Sequence, residues 1–152
     1  MSMVCLLVGS VYGGAESVAE ELQAQIRAAG HEITPIVNLT DSTWDTLDGN
    51  TLLVITSTTG AGDLPDNIAC VFQQLKNQAP TLAHSQYGVI ALGDSSYGET
   101  FCGAGRQFDE LLQELGAKRC GEVLMVDACE TMEPEQPAKV WLQGWLAALK
   151  SE

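Results

Sequence analysis

The chain has 152 residues, 45% of them hydrophobic, which is enough to build the core of one domain covering residues 1–152. Twenty acidic against seven basic side chains give a net charge of −13, which argues against nucleic acid or an anionic membrane as a partner. Because the sequence has no apolar run of 18 residues, no secretion leader and no C-x-x-C pair, we expect a cytoplasmic protein without a membrane span, disulfides or a metal site.

Short apolar runs alternate with amphipathic stretches, a pattern that predicts a doubly wound α/β fold. Strands are predicted at 3–8, 33–38, 52–56, 87–92 and 122–126. Helices are predicted at 15–29, from Pro65 onward, at 103–115 and at 137–149, with Gly30 and Gly116 as stops. The helical spacing of Trp141 and Trp145 predicts core packing, and we expect His31 and His84 in turns or on the surface.

The first predicted strand runs into a glycine-rich turn, Gly9 to Glu16, that enters a helix. Unpaired N–H groups and the helix dipole at such a turn attract phosphate without a cation. The turn lacks the lysine of a Walker A motif and does not fit G-x-G-x-x-G, so a monoester phosphate is favoured over a nucleoside triphosphate or a dinucleotide. Taken alone, the turn is better explained as an ordinary glycine-rich strand-to-helix connection.

Two more loops follow the third and fourth predicted strands. Residues 57–63 contain two glycines that free the backbone, and residues 93–102 supply Asp94 as an acceptor and Tyr97 as a flat stacking ring. Because the carboxyl ends of parallel strands share one edge of the sheet, we expect all three loops to meet there. Together they predict a pocket for a phosphorylated aromatic cofactor.

The stretches Val54-Ile-Thr-Ser-Thr-Thr-Gly-Ala-Gly-Asp-Leu-Pro-Asp-Asn67 and Ala91-Leu-Gly-Asp-Ser-Ser-Tyr97 resemble flavin loops of the flavodoxin family. The resemblance covers essentially the whole chain and is closest to the short-chain, MioC-like members. It implies a five-stranded parallel sheet with strand order 2-1-3-4-5 and bound FMN.

On that resemblance, three groups of residues hold the cofactor. The phosphate group comprises Ser10, Val11, Tyr12, Gly13, Gly14 and Ala15. The group along the inner edge of the ring comprises Thr58, Thr59, Gly60, Ala61 and Gly62. The outer group comprises Leu92, Gly93, Asp94, Tyr97, Phe101 and Cys102. The resemblance further implies that the Gly60 carbonyl accepts a hydrogen bond from flavin N5–H after one-electron reduction. It implies no catalytic side chain.

The leading hypothesis is therefore a monomeric one-electron carrier that takes electrons from a flavodoxin reductase and delivers them to acceptor enzymes, with basic docking surfaces on these partners. Two alternatives stay open: an FMN-dependent reductase of quinones or nitro compounds, and a regulatory module that retains the fold but little flavin. Thr59 replaces a common aromatic residue of the family, and the phosphate turn is poor in hydroxyls. We therefore expect FMN to be bound less tightly than is usual in the family.

Overall fold

A computed structural model describes residues 3–9, 14–35, 51–56, 66–78, 82, 85–93, 103–127 and 135–150. The strands are β1 Met3–Gly9, β2 Glu32–Pro35, β3 Thr51–Thr56, β4 Gln86–Gly93, β5 Lys118–Arg119 and β6 Leu124–Asp127. The helices are α1 Gly14–Ala28, α2 Asp66–Gln78, α3 Gly103–Glu114 and α4 Glu135–Lys150. Predicted strand residues 36–38, Pro65, the turn around Trp44 and His84 lie outside the described residues.

The strands form one parallel sheet in the order β2-β1-β3-β4-β5, and β6 also pairs with β4. This confirms the doubly wound fold and the 2-1-3-4-5 order. The fifth predicted strand, 122–126, corresponds to β6, and the two-residue strand β5 precedes it on the same edge. While β4 advances three residues, from Tyr87 to Ile90, the edge strand advances five, from Arg119 to Leu124. Its two extra residues form a bulge in which Gly121 has a φ of 78°.

Each face of the sheet carries two helices over its own apolar cluster. On one face α2 and α3 meet through Phe72 and Phe108, whose ring centroids lie 5.1 Å apart in an edge-to-face arrangement. On the other face α1 and α4 cover the sheet, and Trp141 stacks on Trp145 at 5.6 Å. Trp145 is only 2% exposed, and the partly buried Trp141 packs against the same cluster, which confirms the predicted core packing of both rings.

The two predicted helix stops are confirmed by their geometry. Gly30 and Gly116 have φ values of 94° and 95°, a left-handed conformation that favours glycine. The N–H of His31 donates to the Ile26 carbonyl, five residues earlier, and Ala117 donates in the same way to Leu112. Both ends are therefore Schellman motifs, in which the last turn's carbonyls find donors before the chain turns into the next strand.

His31 lies in the turn between α1 and β2, as expected. Its side chain is nevertheless buried, and neither ring nitrogen has a hydrogen-bond partner. The residue type and the turn position do not reveal this burial, because burial depends on how the other elements pack around the turn.

Candidate functional site

The carboxyl ends of the central strands lie level with one another at one edge of the sheet, here called the loop edge. Gly9, the last residue of β1, pairs with Thr56, the last residue of β3, and Thr56 pairs with Ala91 near the end of β4. Two residues later, Gly93 pairs with Asp127 at the end of β6. The first, second and third loops, residues 10–13, 57–65 and 94–102, therefore leave the sheet side by side. The predicted meeting of the three loops at one edge is confirmed for their strand ends.

Four of the described helices begin at the loop edge, and three of them follow the loops just named. α1 begins at Gly14 after the first loop, α2 at Asp66 after the second, and α3 at Gly103 after the third. The first four N–H groups of a helix have no partner within the helix, and its N-terminus carries partial positive charge. The loop edge therefore offers an anion backbone donors and the local partial positive charge of helix N-termini.

The strand order also reverses at this edge. β1 has β2 on one side and β3 on the other, so the chain leaves β1 in one direction and later resumes on the opposite side. Helices on opposite faces diverge at such a point and leave a crevice beyond the strand ends, which is where open α/β sheets bind ligands. The crevice lies between the N-termini of α1 and α2, because these helices belong to opposite faces.

Four of the predicted cofactor residues fall in the described part of the chain. Gly14 and Ala15 are the first two residues of α1, and Leu92 and Gly93 are the last two of β4. The side chain of Leu92 is 8% exposed and packs in the cluster under α1 and α4, while Gly93 is half-buried. The other predicted residues lie outside the described part: Ser10, Val11, Tyr12, Gly13, Thr58, Thr59, Gly60, Ala61, Gly62, Asp94, Tyr97, Phe101 and Cys102.

The described start of α1 fits the phosphate of the predicted ligand. The phosphate would be held by the first turn of α1, whose backbone donors follow β1 after only four residues. Side-chain cations are not needed for this, and the cations are in fact concentrated elsewhere. Arg27 and Lys76 are in the last turns of α1 and α2, Lys118 and Arg119 pair with the start of β4, and Lys150 is the last residue of α4.

Charge is thus divided between the two ends of the sheet. Five of the seven basic residues occupy the far edge, where the strands begin. Of the other two, Lys139 is held in an ion pair with Glu21 at 3.1 Å, and Arg106 is exposed in the first turn of α3 at the loop edge. At the loop edge, Glu16 is exposed in the first turn of α1, and Asp127 ends β6. The loop edge is therefore the more negative end of the described fold.

A polar network lies at the far edge and runs from a buried tyrosine to the surface. The hydroxyl of Tyr87, which is fully buried, donates to Asp109 Oδ1 at 2.6 Å. Arg119 Nη1 lies 2.9 and 3.1 Å from the two oxygens of the same carboxylate, and Gln113 Nε2 donates to Oδ2 at 3.2 Å. Burial, assisted by the bond to Asp109, raises the pKa of Tyr87 far above its ordinary value. The network joins β4, α3 and β5 and has no reacting group facing the loop edge.

The described cysteines have a structural character. Cys5 is fully buried in β1, and burial raises the pKa of its thiol to about 11, so it is not nucleophilic at neutral pH. Cys70 is an exposed free thiol on α2. Within the described residues no cluster of His, Cys, Asp and Glu could hold a metal ion, and none of the described helices has the length and hydropathy to span a membrane.

Two glycines at the loop edge have contacts that sequence reasoning missed. A side chain at Gly9 would overlap Ile68 in the first turn of α2, and a side chain at Gly105 would overlap Ala91. The Gly-Ala-Gly run at positions 103–105, directly after the third loop, is the signal that could have indicated such a close approach.

Comparisons with known proteins identify similar chains of nearly the same length. The family model described as Flavodoxin matches residues 6–141. The chain is 46% identical over 145 residues to "Flavodoxin YqcA" of Escherichia coli (strain K12), covering 95% of this chain and 97% of that protein. It is 38% identical over 159 residues to "Protein MioC" of the same organism, covering 99% and 100%. A solved cysteine-to-serine mutant of flavodoxin from Pseudomonas aeruginosa matches with a TM-score of 0.88 and 43% identity, covering 97% and 99%.

Proposed function

The chain belongs to the flavodoxin family, and from this premise we propose that it binds FMN noncovalently and carries single electrons from a reductase to acceptor enzymes. The observation that carries the proposal is the level ending of β1, β3 and β4 at the switch point, with the N-terminus of α1 beside them. When bound, FMN supplies the one-electron redox chemistry, and the protein supplies binding and orientation.

Under this proposal the backbone does most of the binding. Residues 10–15 hold the phosphate through N–H groups at the start of α1, helped by the hydroxyls of Ser10 and Tyr12. Residues 58–62 lie along the inner edge of the ring, and Gly60 can turn its carbonyl toward N5–H because it has no side chain. The outer contacts come from Gly93, Asp94, Tyr97, Phe101 and Cys102, with Leu92 as packing beneath them.

A titration of the apoprotein with FMN, followed by flavin fluorescence, tests the proposal. We expect saturation at one FMN per chain, with a dissociation constant above the sub-nanomolar range because Thr59 replaces an aromatic residue and the phosphate turn is poor in hydroxyls. A sub-nanomolar constant would contradict the weaker binding, and failure to bind FMN at all would contradict the proposed function.

Stepwise anaerobic reduction of the FMN-loaded protein tests the electron-carrier role. We expect absorption spectra in which the first and second electrons enter at distinguishable potentials. The protein should consume NADPH only when a flavodoxin reductase is added, since nothing in the chain corresponds to a separate nicotinamide-binding domain. Steady oxidation of NADPH by the protein alone, with a quinone or nitro compound as acceptor, would favour the reductase alternative.

We further propose that the partners dock at the loop edge through basic surfaces. The support is the division of charge: the net charge is −13, yet five of the seven cations lie at the far edge. A partner with a basic patch is attracted to the loop edge and repelled by the cations opposite, so electrostatics orients the encounter. The free thiols of Cys5 and Cys70 support a reducing cytoplasm, where we propose that the protein acts as a monomer.

Two matched variants test the docking surface. Glu16→Gln removes an exposed charge at the loop edge, and Glu114→Gln removes one at the far end of α3. We expect electron transfer from a flavodoxin reductase at low salt to slow about two- to threefold for Glu16→Gln and to stay unchanged for Glu114→Gln. Equal effects of the two variants would show that only total charge matters.

A further inference from the structure

The first turn of α3 lies directly against β4 at the loop edge. Gly105 is buried there, and a methyl group at this position would overlap the side chain of Ala91. It would also come within 3.2 Å of the Ala91 Cα and within 3.4 Å of Val89 Cγ1. The backbone of the helix and the strand can approach this closely only because one residue is glycine and the other is alanine.

This contact fixes one end of the third loop. The loop, residues 94–102, runs from Gly93 to Gly103, and both of these residues belong to regular elements. Gly93 is held by its pairing with Asp127. Gly103 is held by the helix that Gly105 seats on β4, two residues further along the chain. The separation of the two ends of the loop therefore depends on how closely α3 approaches Ala91.

We propose that Gly105, together with Ala91, is a positioning residue pair that places the third loop against the flavin ring. The inference rests on the proposed function, in which this loop supplies the outer contacts with the ring. Gly105 touches no cofactor atom in this account and acts through the loop. A shift of α3 away from the sheet by part of an ångström moves the loop by a similar amount, and binding groups need placement to about 0.5 Å.

A second glycine supports the inference independently. Gly9 ends β1, and a side chain there would overlap Ile68 and lie 2.9 Å from Thr56 Oγ1. Ile68 is in the first turn of α2, the helix that follows the second loop. The helices after both ring-binding loops thus sit on the sheet at places where a side chain is missing. Because Gly9 adjoins the phosphate loop, a substitution there could also change phosphate binding, and Gly105 is therefore the position used in the experiment.

The experiment compares flavin binding by the wild-type protein and Gly105→Ala. We expect Gly105→Ala to bind FMN about tenfold more weakly, since α3 must move outward to accommodate the methyl group. The affinity for riboflavin should fall by the same factor, because under the proposal the third loop contacts the ring and not the phosphate. Affinity for inorganic phosphate alone should not change. A Gly105→Ala protein that binds FMN and riboflavin as the wild type does would overturn the inference.

Two further variants separate positioning from a general loss of packing. The double variant Ala91→Gly/Gly105→Ala transfers the missing methyl group from helix to strand, and we expect FMN binding within about threefold of wild type. A folded double variant that binds as weakly as expected for Gly105→Ala would overturn the inference, even if the single variant does not fold. Gly88 is on the same strand as Ala91, but it faces the other side of the sheet, where the methyl group of Gly88→Ala would overlap Trp145. We expect Gly88→Ala to be less stable than the wild type and to keep its affinity for FMN.

The outcomes for the inference and for the proposed function differ. If the wild type binds no FMN, the proposed function fails. If the wild type binds FMN and Gly105→Ala binds it equally well, only the positioning role fails. If Gly88→Ala weakens FMN binding as much as Gly105→Ala does, the effect is loss of packing in β4 and the positioning role again fails.

Discussion

Strand β4 is anchored differently at its two ends. At the far edge large side chains hold it: the buried Tyr87 reaches Asp109, and Gly88 lies beneath the indole of Trp145. At the loop edge small residues hold it: Ala91 meets Gly105, and Gly93 pairs through its backbone with Asp127. At the far edge, side-chain contacts stabilise the strand. At the loop edge, the small residues bring helix and strand backbones close together and leave the loops above them free to contact a ligand.

The difference indicates that stability and ligand binding are separable along one strand. Changes at the far edge should lower the free energy of unfolding without altering FMN affinity, because Tyr87 in the network there is six residues, roughly 20 Å along a strand, from Gly93. Four predictions test this separation, beginning with the largest expected effect.

Removing the shared carboxylate should have the largest effect. Asp109→Ala removes the charged acceptor of the buried Tyr87 hydroxyl and of Arg119 Nη1, and it leaves the hydroxyl only the longer 3.2 Å contact with the Asp109 carbonyl. We expect a loss of about 2–3 kcal/mol in the free energy of unfolding. Urea denaturation of the apoprotein measures it. Asp109→Asn keeps an acceptor and should lose about 1 kcal/mol. An FMN dissociation constant changed more than about threefold in either variant would break the separation.

Filling the space under Trp145 should lower the free energy of unfolding by a smaller amount. In Gly88→Ala the new methyl group would lie 2.5 Å from Trp145 Nε1 and 2.7 Å from Trp141, and we expect a loss of about 2 kcal/mol from overpacking. Gly144→Ala on α4 is the control, because nothing lies within 4 Å of its methyl group. That variant should gain about 0.5–1 kcal/mol from helix propensity. Thermal denaturation that ranks the two variants in the opposite order would contradict the packing argument.

Tyr87→Phe should lower the free energy of unfolding by about 1 kcal/mol near neutral pH, because the hydrogen bond to Asp109 is lost. It should also change the response to alkali. The native fold raises the pKa of Tyr87, so above about pH 10 the unfolded chain releases this proton while the native protein keeps it. Stability contributed by the neutral phenol is therefore present below pH 10 and is lost as the pH rises. Urea titrations from pH 8 to pH 11 should show a shallower decline for Tyr87→Phe.

The exposed ion pair between Glu21 and Lys139 should matter least. Its side chains are 52% and 38% exposed, so solvent screens the 3.1 Å contact. We expect Lys139→Met to change the free energy of unfolding by less than about 0.5 kcal/mol, with no effect on FMN affinity. A double-mutant cycle with Glu21→Gln measures the coupling. A coupling above 1 kcal/mol would mean that this pair holds α1 to α4 more firmly than its exposure allows.

The amino-acid sequence by itself determined the element order, the two helix stops and the edge where the three loops meet. The element order follows from the spacing of apolar residues, and the helix stops follow from glycines that can adopt a left-handed conformation. The shared edge follows from the rule that the carboxyl ends of parallel strands lie together. The residues of the second and third loops by themselves carry the resemblance to the flavodoxin family.

Tertiary structure alone decided the features that join distant residues. Four such features depend on which elements come to lie side by side. They are the bulge in the edge strand, the burial of His31, the Tyr87–Asp109–Arg119 network and the contact of Gly105 with Ala91. No local pattern records such proximity, because a side chain's burial and partners are set by the packing of the other elements against it.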